Sequence, residues 1–228
     1  MFFIVNKDIP AAAQNILAGY GEVILFETDG ITDNEISNHP DIFFCVIGNK
    51  IVCAQNTPKK YIERLNKFSS NCTAGNSDVG YDYPANAKYN AVITDRYIIH
   101  NKEITDEAIL QSVSDKKFIN VKQGYTRCNL LPLKNDCFIT SDRGIENILK
   151  QEGLSCLYVS PKEVLLPGFK HGFFGGACGV FDNSVFILGS LNYFSEGNAV
   201  KNYLTGLGYE LCELVDGKLF DGGSILIV

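Results

Sequence analysis

The chain contains no tryptophan, one methionine (Met1) and only three histidines. Hydrophobic residues still make up 46% of its 228 positions. A core built without Trp or Met must therefore be filled by Phe, Tyr, Leu, Ile and Val. Basic residues are also short: 20 Lys and Arg against 26 Asp and Glu leave a net charge of −6. Nucleic acids and anionic membrane surfaces demand concentrated Lys and Arg. No such cluster exists here, so neither is an expected partner. No apolar run reaches the length of a membrane span. The opening Met1-Phe2-Phe3-Ile4-Val5-Asn6-Lys7 lacks the basic start and long apolar run of a signal peptide. It reads as a buried first strand, and the chain as cytoplasmic.

Eight cysteines are present, but none forms a C-x-x-C pair. The three histidines, His39, His100 and His171, are scattered. No metal ligand set and no cofactor are expected from this pattern. Cys45, Cys53, Cys137, Cys156 and Cys212 sit in apolar runs and read as small buried hydrophobes. A cytosolic setting predicts that all eight thiols are free.

What the sequence does have is a repeat. Residues 41–47 and 50–54 are two apolar runs about Gly48-Asn49, which predicts a β-hairpin. Thr57 and Pro58 then open a helix whose apolar face is Tyr61, Ile62, Leu65 and Phe68. The pattern returns at 89–93 and 97–100, followed by a helix from Thr105-Asp106-Glu107 and a strand at 118–121. It returns again at 128–133 and 137–140, followed by a helix capped at Ser141-Asp142, a stop at Gly153 and a strand at 155–159. A fourth copy spans 173–181, 185–189, a helix at 198–207 and a strand at 209–214. The chain ends supply a split fifth copy, with strands at 2–5, 21–26 and 219–228 and a helix between Pro10 and Gly19. Pairing the ends removes free strand edges. Residues 69–83, rich in Ser, Asn, Asp and Gly, read as an exposed loop.

Five such ββαβ units about an axis resemble the pentein fold. This is the guanidine-modifying-enzyme fold of arginine and agmatine deiminases, amidinotransferases and the ribosomal anti-association initiation factor. More narrowly, Asn120-Val121-Lys122-Gln123-Gly124-Tyr125-Thr126-Arg127-Cys128, Ile139-Thr140-Ser141-Asp142-Arg143-Gly144-Ile145 and Gly172-Phe173-Phe174-Gly175-Gly176-Ala177-Cys178-Gly179 resemble a bacterial group of unknown function assigned to that fold. The resemblance implies an α/β class, a five-fold pseudo-symmetric α/β propeller, and a single domain over residues 1–228. Active members attack a guanidinium carbon with a cysteine thiolate, aided by a histidine and by carboxylates that grip the cation. Their cysteine lies near the C-terminus after a Gly-rich strand start; here that segment is Asp221-Gly222-Gly223-Ser224-Ile225-Leu226-Ile227, with Ile227 or a neighbour in its place. The family histidine corresponds in place to His171, with Phe173 where an acid often follows.

Two functions stand side by side. One is an enzyme acting on a small guanidino or amino-acid-like substrate, with His171 and Cys178, or Cys128, as its catalytic pair. The other is a non-catalytic pentein that binds a metabolite or protein. The expected site gathers Asp41, Asn90, Arg127, Cys128, Asp221 and Ser224 with His171 and Cys178. Each lies at or beside the start of an innermost strand, and pseudo-rotation repeats that position. The acids would face a cation, and Arg127 would clamp a carboxylate bidentately. The glycines at 175, 176 and 179 mark either a ligand against the strand or close backbone packing. His39-Pro40-Asp41 reads as a turn entering a strand, Asp142 as a helix-start charge, and His100 as a surface or capped strand end.

Overall fold

The computed structural model describes residues 1–67 and 72–228. Phe68, expected on a helix face, and the first residues of the expected loop lie outside the described residues.

The chain opens with β1 (Phe2–Asn6), α1 (Ala11–Ala18) and the parallel partner β2 (Glu22–Phe26). A one-turn helix, α2 (Pro40–Phe43), leads into the hairpin β3 (Phe44–Ile47) and β4 (Lys50–Cys53). Helix α3 (Lys59–Asn66) returns the chain to β5 (Cys72–Ala74), parallel to β4. The third unit is β6 (Val92–Ile93), β7 (Tyr97–His100), α4 (Glu107–Ser112) and β8 (Lys117–Asn120). The fourth opens with the short helix α5 (Thr126–Asn129), then β9 (Leu130–Leu133), β10 (Cys137–Thr140), α6 (Arg143–Gln151) and β11 (Ser155–Tyr158). The last has a 3-10 turn at Gly175–Ala177, β12 (Cys178–Phe181), β13 (Ser184–Ile187), α7 (Gly197–Gly206) and β14 (Glu210–Glu213). The C-terminal β15 (Leu226–Ile227) pairs antiparallel with β1.

The result is five three-stranded mixed sheets with the same logic. A middle strand pairs antiparallel with one neighbour and, after a helical crossover, parallel with the other. Both chain ends share one sheet, as the split repeat predicts. Local chemistry explains the helix starts. Asp106 accepts the Ala108 amide, and Asp142 Oδ1 accepts the Ile145 amide at 2.8 Å, so both acids are N-caps. Gly153 takes a positive φ of 76° just past α6.

Several expectations need correction. Residues 41–43, 128–129 and 175–177, read as strand, form single helical turns ahead of β3, β9 and β12. Thr57 does not cap α3; its hydroxyl is buried without a partner and Pro58 stands at the cap. The 69–83 segment holds the third strand of its sheet, β5, and the buried Val79. Cys53 and Cys72 form a disulfide, contrary to the expectation of eight free thiols. They lie on neighbouring parallel strands with Cα atoms 6.7 Å apart, a juxtaposition made by the crossover and invisible in sequence spacing. Cys156 and Cys212 are only partly buried. His100 is capped but fully buried, not at the surface.

Candidate functional site

The short turns ahead of the innermost strands bring polar side chains from distant sequence to one place. Asp41, on α2, is fully buried, and its Oδ2 accepts two hydrogen bonds. The Cys128 thiol donates across 3.1 Å and the Ser224 hydroxyl across 2.5 Å. Asn90 completes the knot. Its Oδ1 accepts the Cys128 amide at 3.1 Å, and its Nδ2 donates to the Asp41 carbonyl at 3.0 Å and toward the Cys128 sulfur at 3.4 Å. Four of the expected site residues thus meet directly.

Asp221 lies alongside. Its Oδ2 accepts the Phe173 amide at 2.9 Å and its Oδ1 the Gly223 amide at 3.0 Å. The same Oδ1 stands 3.9 Å from Nδ1 of His39, a residue buried to 2% exposure. His39, Cys128, His171 and Asp221, with Tyr125 and Phe173, line a cavity of about 260 Å³. Burial, reinforced by Asp41 and Asp221, holds the Cys128 thiol well above its usual pKa, so it is a neutral donor. Burial also raises Asp221, opposed by His39. Among the described residues, neither buried carboxylate has a Lys or Arg ion-pair partner. Four buried side-chain polar atoms among the described residues lack a hydrogen-bond partner, and two of them lie here, Asp41 Oδ1 and His39 Nε2; the others are Thr57 Oγ1 and Asn129 Oδ1. Such groups are uncommon and call for an explanation.

The glycines are there for close packing. A Cβ on Gly176 would sit 2.0 Å from Asp221 Oδ1, and one on Gly175 would sit 2.5 Å from the Arg127 carbonyl. A Cβ on Gly179 would sit 2.4 Å from the Ile225 carbonyl. The packing reading of this segment therefore accounts for all three, and Gly176 additionally seats Asp221.

Two expected residues sit elsewhere. The Arg127 guanidinium donates to the Gly175 carbonyl at 2.9 Å and the Cys178 carbonyl at 3.0 Å. Two of its five N–H groups thus staple α5 to the last unit. It faces a different cavity of about 400 Å³, beside Val46, Pro132, Val180 and Ile227. Cys178 is fully buried among Leu131, Val185 and Ile187, and burial pushes its thiol up to about 12. It lines neither of these two cavities. His171 itself lies at the first cavity, with Nδ1 3.0 Å from the Gly172 carbonyl.

Sequence reasoning missed His39, dismissed as part of a turn. The available signal was its position two residues before Asp41, with proline starting the turn between them. It also missed that His39, Asp41 and Cys128 offer ligand atoms all within 4.8 Å of one another. One of the three scattered histidines thus joins an acid and a thiol.

The fold is that of the penteins. It is shared at TM-score 0.56 with a mutant DDAH from Pseudomonas aeruginosa complexed with citrulline, at 10% identity over 94% of this chain and 91% of that one. SxtG, an amidinotransferase from Microseira wollei, superposes at TM-score 0.58 with 12% identity, covering 93% of this chain and 87% of its own. C. jejuni agmatine deiminase gives 0.56 with 10% identity, over 96% and 78%. Within that class the chain belongs to DUF6873, a family of unknown function whose profile matches residues 4–226. No curated protein matches it in sequence.

Proposed function

We propose that this protein binds a small guanidino or amino-acid-like cation in the cavity beside Asp221. One observation carries the reading: Asp221 lines this cavity, is 1% exposed, and has no Lys or Arg ion-pair partner among the described residues. Buried charge is unfavourable unless paired, and a ligand cation would supply the pairing. Asp221 can accept its N–H groups, and Tyr125 and Phe173 line the same cavity, where aromatic rings attract cations. Lys170, exposed at the same cavity, would meet a carboxylate end, the part expected of Arg127. The structural neighbours, which include an agmatine deiminase and an amidinotransferase, support the guanidino class. Thermal melting against agmatine, arginine and guanidinoacetate tests this. The cations should raise the melting temperature, and citrulline, the neutral isostere of arginine, should not.

A second reading adds covalent chemistry. Cys128, rather than Cys178, shares the cavity with His171. A bound cation would offset the carboxylates that hold its proton, so that the proton leaves to solvent and the thiolate adds to the guanidinium carbon. The C–N bond then breaks and the amine departs with a proton from His171, leaving an S-linked adduct on Cys128. Intact-mass detection of an adduct on wild type, absent in Cys128→Ser, tests it.

The five sheets are proposed to ring one axis as a single propeller-like domain over residues 1–228. Contacts of β3 with β6, β6 with β9, β9 with β12 and β12 with β15 support this order. Residues of all these strands also line the cavity that holds Arg127. For localisation, the described residues include no helix long and apolar enough to cross a membrane.

A further inference from the structure

We propose that His39, Asp41 and Cys128 form a binding site for a single zinc-like divalent metal ion. The inference does not depend on the cationic-ligand reading. Three observations carry it. Each side chain offers a ligand atom within 4.8 Å of the other two, and all three residues are buried. Two of them end in atoms with no hydrogen-bond partner, His39 Nε2 and Asp41 Oδ1, although they are 2% and 0% exposed. A buried polar atom without a partner calls for an explanation, and ligation of a metal would supply one. Finally, the other ring nitrogen of His39, Nδ1, faces the Asp221 carboxylate at 3.9 Å. This is longer than a hydrogen bond, and a small approach of the ring on metal binding would give the arrangement in which a carboxylate orients a ligating imidazole by receiving its second N–H.

The donor set indicates which metal. Thiolate and imidazole favour zinc and its neighbours over magnesium or calcium, which prefer all-oxygen shells. Three protein ligands leave a fourth tetrahedral position, and Cys128 and His39 both border the cavity. Sites of this kind keep an open position for water or ligand. Metal entry displaces the thiol proton now donated to Asp41 Oδ2, and that proton leaves to solvent. Ser224 remains as a donor to the same oxygen, fixing the carboxylate so that Oδ1 turns toward the ion.

The test uses the full chain, stripped with chelator and titrated with Co(II) and then Zn(II). The expected result is one equivalent of Co(II) with a thiolate-to-cobalt charge-transfer band and intense tetrahedral d–d absorption, both removed by Zn(II). Cys128→Ser should abolish the charge-transfer band, and His39→Gln should weaken Zn(II) binding at least about tenfold. In wild-type protein, bound Zn(II) should also slow iodoacetamide labelling of the Cys128 peptide, a readout that needs no variant to fold. A wild-type protein without the band overturns the proposal. So does a band that survives in Cys128→Ser, or a Cys128 peptide labelled at the same rate with and without Zn(II). Binding of arginine-like cations to the stripped protein would be unaffected by any of these failures, so the two readings fall separately.

Discussion

The Cys128 thiol donates to the Asp41 carboxylate across 3.1 Å, although 87 residues separate them in the chain. The contact joins two one-turn helices that each precede an innermost strand, α2 before β3 and α5 before β9. It is the repeat of the fold, rather than any local motif, that places an acid and a thiol together.

Seating Asp221 requires the bare backbone of Gly176. Gly176→Ala would drive a methyl to 2.0 Å from the carboxylate, so it should destabilise the protein by roughly 1–3 kcal/mol and weaken cation binding together. Gly206→Ala is the control. It ends α7 with nothing within 4 Å of the added methyl, and should be neutral or stabilising by up to about 1 kcal/mol. Urea denaturation of both variants checks the contrast; equal stability of the two would refute it.

Arg127 is predicted to act on stability. Its two N–H groups hold the Gly175 and Cys178 carbonyls. Arg127→Lys cannot reproduce the fork, so it should lose about 2–3 kcal/mol of stability while retaining ligand affinity in the folded fraction. A variant of unchanged stability that fails to bind would restore the ligand-clamp role expected from sequence.

His100 makes stability depend on pH. Its Nε2 lies 2.8 Å from the Gly124 carbonyl, its Nδ1 2.8 Å from the Thr105 hydroxyl, and burial lowers its pKa from 6.5 to about 4. The folded state therefore prefers the neutral ring. The contribution is complete above pH 6.5 and is lost as pH falls toward about 4, because the unfolded chain takes up the proton first. The loss is about 3 kcal/mol. Urea midpoints measured above and below this window should fall with pH in wild type and fall less in His100→Gln. Parallel slopes would exclude His100 as the source.

The disulfide sets the thiol count. Titration of the unfolded, unreduced chain should find six thiols, because Cys53 and Cys72 are paired, and all eight after reduction. Eight before reduction would restore the sequence expectation.

The sequence was most legible where it repeats. Hairpins, helix caps at Asp106 and Asp142, and the pairing of the two chain ends follow from apolar alternation and capping chemistry. The one-turn helices did not, because Asp41-Ile42-Phe43 and Cys128-Asn129 run on into apolar strands without a break in pattern. Asp41, Asn90, Cys128 and Ser224 were traceable because pseudo-symmetry repeats their position. Arg127 and Cys178 lie in the right places along the chain, yet side-chain direction decides their roles, and sequence does not carry it. Thus Arg127 turns to backbone carbonyls and Cys178 into the core. His39 was hidden because a turn histidine looks the same whether it faces solvent or a buried acid.

Calorimetric titration of arginine, with citrulline as the neutral comparison, into wild type and Asp221→Asn tests the central claim most directly. The account predicts saturable binding of arginine by wild type, none of citrulline, and loss of at least about tenfold in affinity in the folded Asp221→Asn protein, as expected when a buried charge partner is removed. Equal binding of arginine and citrulline, or an affinity untouched by Asp221→Asn, would contradict it.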